Sequence, residues 1–136
     1  MSNRGYFTGR VARPMDLRQG RESHVCYFTL IRDDYAGVDA AGTRSRTVTL
    51  PLKAFGKRAQ LLARKVNVGD QLMVEYSIRN RVRRAGALPQ FEFIVRDFDF
   101  GAPGQITRER WRERETLLAQ ARSRLDGEHT PSETLP

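Results

Sequence analysis

Arg79, Arg81, Arg83 and Arg84 fall within six consecutive residues, and strand alternation alone sets three of them on one side. Guanidinium groups this close repel one another unless a polyanion neutralises them. The planar fork of arginine suits phosphate oxygens and also stacks on flat rings. A second basic cluster, Lys53, Lys57 and Arg58, surrounds Phe55, while Tyr27 and Tyr35 bring further aromatic faces. Cations along a backbone combined with exposed rings are what a single-stranded nucleic acid requires of its binder. Arg10 and Tyr6, Arg32, and the trio Phe91, Phe93 and Arg96 interleave in the same way. Phe7, Phe28, Phe91, Phe93 and Phe98 occupy alternating strand positions, and for each of them filling a core is the first reading.

Catalytic chemistry has little to work with. The histidines are His24 and His129, the latter near the C-terminus. No glycine-rich phosphate loop, no metal-ligand spacing and no nucleophile–base pair can be read from the chain. Asp33-Asp34 and Asp97/Asp99 could hold a magnesium ion, but they read as strand-end charges. The single cysteine, Cys26, lies in the apolar run Val25–Phe28 and reads as a small core residue. The expectation is therefore a protein that is not an enzyme and has no cofactor and no metal.

With 136 residues and 39% hydrophobic content, the chain suffices for one domain plus an appendage. No apolar run approaches the length of a membrane span, and the N-terminus lacks an apolar signal core, so a cytoplasmic, nucleoid-associated protein without membrane contact is expected. Residues 1–104 carry 18 basic and 10 acidic side chains, whereas residues 105–136 carry six of each. The net charge of +8 thus belongs to the first segment and points to a polyanionic partner there.

The elements that must position these residues follow from periodicity. Residues 5–12 alternate, with Phe7, Gly9 and Val11 on one face and Gly9 suited to a bend or bulge. Residues 14–23 read as a turn, residues 24–32 as a strand with Cys26, Phe28 and Leu30 inward, and residues 33–46 as a long hairpin loop. Residues 47–55 alternate with Val48, Leu50, Leu52 and Ala54 inward, and Pro51 marks an edge or bulge. Residues 57–66 predict a helix with Leu61, Leu62 and Val66 on its apolar stripe. Two strands close the set, 71–82, with Leu72, Val74, Tyr76 and Ile78 on one face, and 89–98. Three strands, a helix and two strands are the plan of an all-β, five-stranded OB-fold Greek-key barrel with a helix between strands 3 and 4.

Beyond residue 104 the composition changes. Residues 106–125 predict a charged C-terminal α-helix with Trp111, Leu118 and Leu125 at heptad spacing, flanked by Leu117 and Ala121. Docking on the barrel and pairing with a partner subunit both fit that stripe. The expected organisation is a nucleic-acid-binding domain over 1–104, a charged helix over 105–125 and a flexible acidic tail over 126–136.

The chain resembles the bacterial single-stranded DNA-binding proteins. Asn3–Val11 is similar to that family's first strand, Tyr27–Leu30 to its second, and Leu52–Ala59 to the hydrophobic–aromatic–Gly–Lys segment that opens its helix. Gly69–Glu75 and Ser77–Arg81 resemble its fourth strand, so the likeness covers about residues 3–100. It implies a homo-oligomer, dimer or tetramer, that wraps single strands, with Phe55 at a base-stacking position and Tyr35 near another. Departures are Thr49 where the family often has a stacking tryptophan, Arg83 at another aromatic position, and Tyr76 for a usual glycine. The C-terminus ends in Leu135-Pro136 rather than the family's acidic tip. His24–Phe28 is also similar to the second strand of the primosomal replication protein. The charged helix belongs to neither pattern, which suggests a variant from a plasmid or other mobile element.

Together these readings predict a sequence-tolerant single-stranded DNA-binding protein of replication, recombination or repair. Its expected contacts are Tyr27, Tyr35, Lys53, Phe55, Lys57, Arg58, Arg79, Arg81, Arg83 and Arg84. Stacking and phosphate contacts serve RNA equally, so that polymer stays open. So does an adaptor role in replication restart or on a mobile element, with a replication or recombination protein as partner.

Overall fold

The computed structural model describes residues 3–81, 86, 88 and 90–133, the last six of these as backbone only. Six strands and two helices follow in the order β1 (Gly5–Val11), β2 (Asp16–Gln19), β3 (His24–Asp39), β4 (Gly42–Phe55), α1 (Gly56–Lys65), β5 (Gln71–Asn80), β6 (Phe91–Phe100) and α2 (Gln105–Glu133). The sheet runs β1-β5-β6-β4-β3-β2, and a further pairing of β1 with β3 closes five strands into a barrel. Four of the closing contacts are antiparallel, and β4 meets β6 in parallel at Lys53 and Ile94. This is the OB-fold plan, with α1 between the third and fourth long strands.

Alternation drives the closure. Val11, Cys26, Phe28, Leu30, Leu52, Leu72 and Val74 turn inward from four strands, and Ala59, Leu62 and Val66 plug the barrel from α1. Gly9 lies where β1 leaves β5 for β3, and a Cβ there would come within 2.8 Å of the Ile31 carbonyl oxygen. Its role is close backbone approach rather than a bulge. At Pro51, β4 has β3 as its ladder neighbour and has not yet met β6, which fits a residue without a donor.

Three segments depart from the sequence reading. The stretch expected to be a turn contains β2, a short exposed strand on the edge of β3. Residues 33–46 are not a loop: β3 and β4 run on as a hairpin to a turn at Ala40-Ala41. Its arms are polar on both faces, so no apolar alternation announces them. Backbone pairing carries them, aided by Thr47 donating to Asp33 at 2.6 Å and by ion pairs Arg32–Asp34 and Arg44–Asp39. Finally, the β5–β6 register shifts between Glu75 and Tyr76, where Arg96 is the extra residue on β6. Beyond the shift Ile78, placed by alternation on the same face as Leu72 and Val74, is exposed, and Ser77 is buried and accepts a 2.7 Å hydrogen bond from Arg96 Nε.

Among the described residues, the contacts that fasten α2 to the barrel lie at its start. Asp70 accepts hydrogen bonds from the Gly104 N–H and the Thr107 hydroxyl, both at 2.7 Å. From Arg108 to Gly127 every residue is exposed, so Trp111, Leu117, Leu118 and Leu125 do not dock on the barrel. The helix continues through Glu133, past the point where a tail was expected to begin.

Candidate nucleic-acid interface

One face of the barrel gathers the outward residues of β3, β4, β5 and β6 into an open groove of about 630 Å³. Register places Tyr27 of β3 directly across from Lys53 of β4, and Arg79 of β5 across from Glu92 of β6. Phe55 lies two residues beyond Lys53 on the same face of β4. The Lys53 ammonium sits 5.3 Å from the centres of both the Tyr27 and the Phe55 rings. Arg79 lies 5.2 Å from the Phe55 ring on its other flank, and Arg18 of β2 lies 5.4 Å from Tyr27. Cations held against ring faces keep those rings in place and carry charge to where bases and phosphates would alternate.

Glu92 stands at the centre of the charge. Its carboxylate is 2.9 Å from Arg79 Nε, 3.7 Å from Lys53 Nζ and 4.0 Å from Arg81 Nε, and its side chain is 18% exposed. Partial burial pushes its carboxyl up, but the Arg79 hydrogen bond and the Lys53, Arg79 and Arg81 charges outweigh that, and the net direction is down. The carboxylate therefore stays ionised among its cations.

Of the expected contact residues, Tyr27, Lys53, Phe55, Arg79 and Arg81 come together here. Lys57 and Arg58 are exposed on the first turn of α1 but do not line the groove. Tyr35 is 72% exposed on the hairpin arm, where it borders a separate hollow with Arg46 and Val48. Arg83 and Arg84 lie outside the described residues. Arg10 and Arg32 serve the fold on another wall: Arg10 donates to the Gly69 carbonyl at 2.8 Å, and Arg32 lies over the Phe7 ring.

Sequence reasoning missed part of the wall. Phe91, which interleaves with the basic residues but for which core filling is the first reading, is 63% exposed at the groove beside Asn80 and Gln90. Phe93 does meet the core expectation in part, packing edge-on to Tyr76 with ring centres 5.4 Å apart. Polar Gln90 before Phe91 is the local signal that its strand is only then entering the sheet. Nothing local marks Glu92, because its three partners belong to β4, β5 and the residue just after β5.

Comparison with known proteins adds an independent line. The profile of the Single-strand binding protein family matches residues 2–87. The fold is similar to that of a Plasmodium falciparum SSB solved in complex with ssDNA, at a TM-score of 0.64 and 17% identity over 75% of this chain and 96% of that one. It is also similar to a small single-stranded DNA-binding protein from Streptomyces coelicolor, at a TM-score of 0.55 and 15% identity over 72% and 93% of the two chains. A search of curated protein sequences gave no match.

Proposed function

Because this chain belongs to the Single-strand binding protein family, we propose that it binds single-stranded DNA with little sequence preference, through the groove between Tyr27, Lys53, Phe55, Arg79, Arg81 and Phe91. The observation that carries this reading is the sandwich of Lys53 between two rings, with Arg79 on the far side of Phe55. Every base has a π-face, so stacking on such rings tolerates any sequence and contributes about 1–3 kcal/mol per base. The neighbouring cations neutralise phosphates and make binding salt-sensitive. Lys57, Arg58, Arg83, Arg84 and Tyr35 would extend the path beyond the groove, and the protein would act as a homo-oligomer in the cytoplasm, in replication, recombination or repair.

Titration with oligo-dT, oligo-U and a matched duplex at two salt concentrations tests this. Tight dT binding that weakens with salt, with duplex far poorer, supports the reading, and equal or negligible binding to all three defeats it. A second reading is favoured by the bare stripe Trp111–Leu118–Leu125 on α2: an adaptor that grips a protein partner, with nucleic acid secondary. Removing residues 105–136 separates the two, since a binder keeps its DNA affinity whereas an adaptor loses its partner.

A further inference from the structure

We infer that Glu92 is a built-in competitor of the DNA backbone: its carboxylate holds Lys53, Arg79 and Arg81 while the groove is empty, and gives them up when a single strand enters. The inference rests on the proposed binding of single strands by this groove and deepens it. Other barrel carboxylates in ion pairs among the described residues each face one arginine, as in Arg4–Glu75, Arg18–Asp16, Arg32–Asp34 and Arg44–Asp39. Glu92 alone in that set gathers three cations, from β4, β5 and the residue after β5, within 4.0 Å. Those three are groove-lining cations of the kind a phosphate would seek.

A carboxylate and a phosphate oxygen make the same demands: negative charge and lone pairs aimed at N–H donors. Glu92 is thus an internal stand-in for the ligand. It keeps three mutually repelling cations ordered around one point, in the geometry a phosphate needs. The same contact works against binding, because each cation offered to DNA must first be withdrawn from a carboxylate that then repels the incoming phosphate. It also leaves fewer mobile anions condensed on the groove to be released, which flattens the dependence of affinity on salt. The groove would hold single strands while letting them go readily.

The test compares the full chain with E92Q and E92A, each checked to fold and melt cooperatively, in titrations with an oligo-dT of about 16 nucleotides across a salt series. E115Q, on the exposed part of α2, controls for the same change in net charge away from the groove. The expected result is affinity about tenfold higher for E92Q at low salt, with the slope of log K against log salt steeper by about 0.7, and little change for E115Q. Equal affinity and slope for E92Q and the unaltered chain would overturn the inference, as would weaker binding by both Glu92 variants, which would make Glu92 a support for the cations rather than their competitor. If the unaltered chain fails to bind dT at any salt, the underlying function falls and this role falls with it.

Discussion

The Thr107 hydroxyl donates a 2.7 Å hydrogen bond to Asp70 Oδ2, joining the first turn of α2 to the loop before β5 across 37 residues of chain. Both side chains are buried, and the same carboxylate also accepts from the Gly104 and Asn67 amides. Asp70 thereby pins the start of α2 from another part of the chain, satisfying the amide of Gly104 just before the helix and the hydroxyl of Thr107 in its first turn.

Replacing Asp70 with Ala leaves the Thr107 hydroxyl without that acceptor and the buried Gly104 amide unpaired. The expected loss is about 2–3 kcal/mol of stability in urea unfolding, with new protease cleavage near residue 104. An unchanged midpoint and cleavage pattern would show that α2 is held by something other than this carboxylate.

Phe55→Ala removes the ring shared by Lys53 and Arg79. Affinity for oligo-dT is expected to fall by about 1–3 kcal/mol while the barrel stays folded. If affinity is unaltered, Phe55 is not a stacking platform and the strand runs along another part of the face.

Acid should strengthen binding through Glu92. Its carboxyl is held below the ordinary range because its cations outweigh the effect of burial. Its contribution to stability is therefore present above the unfolded-state value and is lost as pH falls through the lowered folded value. Protonation neutralises Glu92 while Lys53, Arg79 and Arg81 keep their charge, so those cations become free for phosphate. As pH falls below the ordinary glutamate value of about 4.3, the affinity of the unaltered chain should rise toward that of E92Q, closing the gap between them. A gap that stays constant over this range would count against the titration of Glu92 controlling the groove.

Gly9→Ala should weaken the barrel where it closes. The added Cβ would meet the Ile31 carbonyl oxygen at 2.8 Å and the Phe7 ring at 2.9 Å, and a backbone oxygen in a paired strand has little room to move. A loss of about 1–3 kcal/mol is expected from denaturant unfolding. Equal stability would mean that β1 and β3 separate at this point without cost.

Much of this protein is legible in its residues because in–out alternation is a local code. Cys26, Phe28 and Leu30 face inward and Tyr27 outward whatever strand lies alongside, and Leu62 and Val66 fall on a helical stripe by spacing, although Ala59 rather than the expected Leu61 completes it in the core. That was enough to determine five barrel strands, a helix between the third and fourth, a basic first segment and a charged terminal helix. It also sufficed to bring Tyr27, Lys53, Phe55, Arg79 and Arg81 under suspicion. What one residue meets on another strand is not written locally. Glu92 reads as any strand glutamate until register sets Arg79 across from it and barrel closure brings up Lys53. The same closure separates Tyr35 from the groove, and the extra residue at Arg96 changes which β5 residues near Ile78 are covered. The polar arms of the β3–β4 hairpin are strands by backbone pairing alone, for which side-chain pattern carries no signal. Sequence determined the alternation within each strand, and tertiary structure decided which face is covered past a bulge and what each side chain meets, because register between distant strands depends on bulges and closure that involve the whole barrel at once.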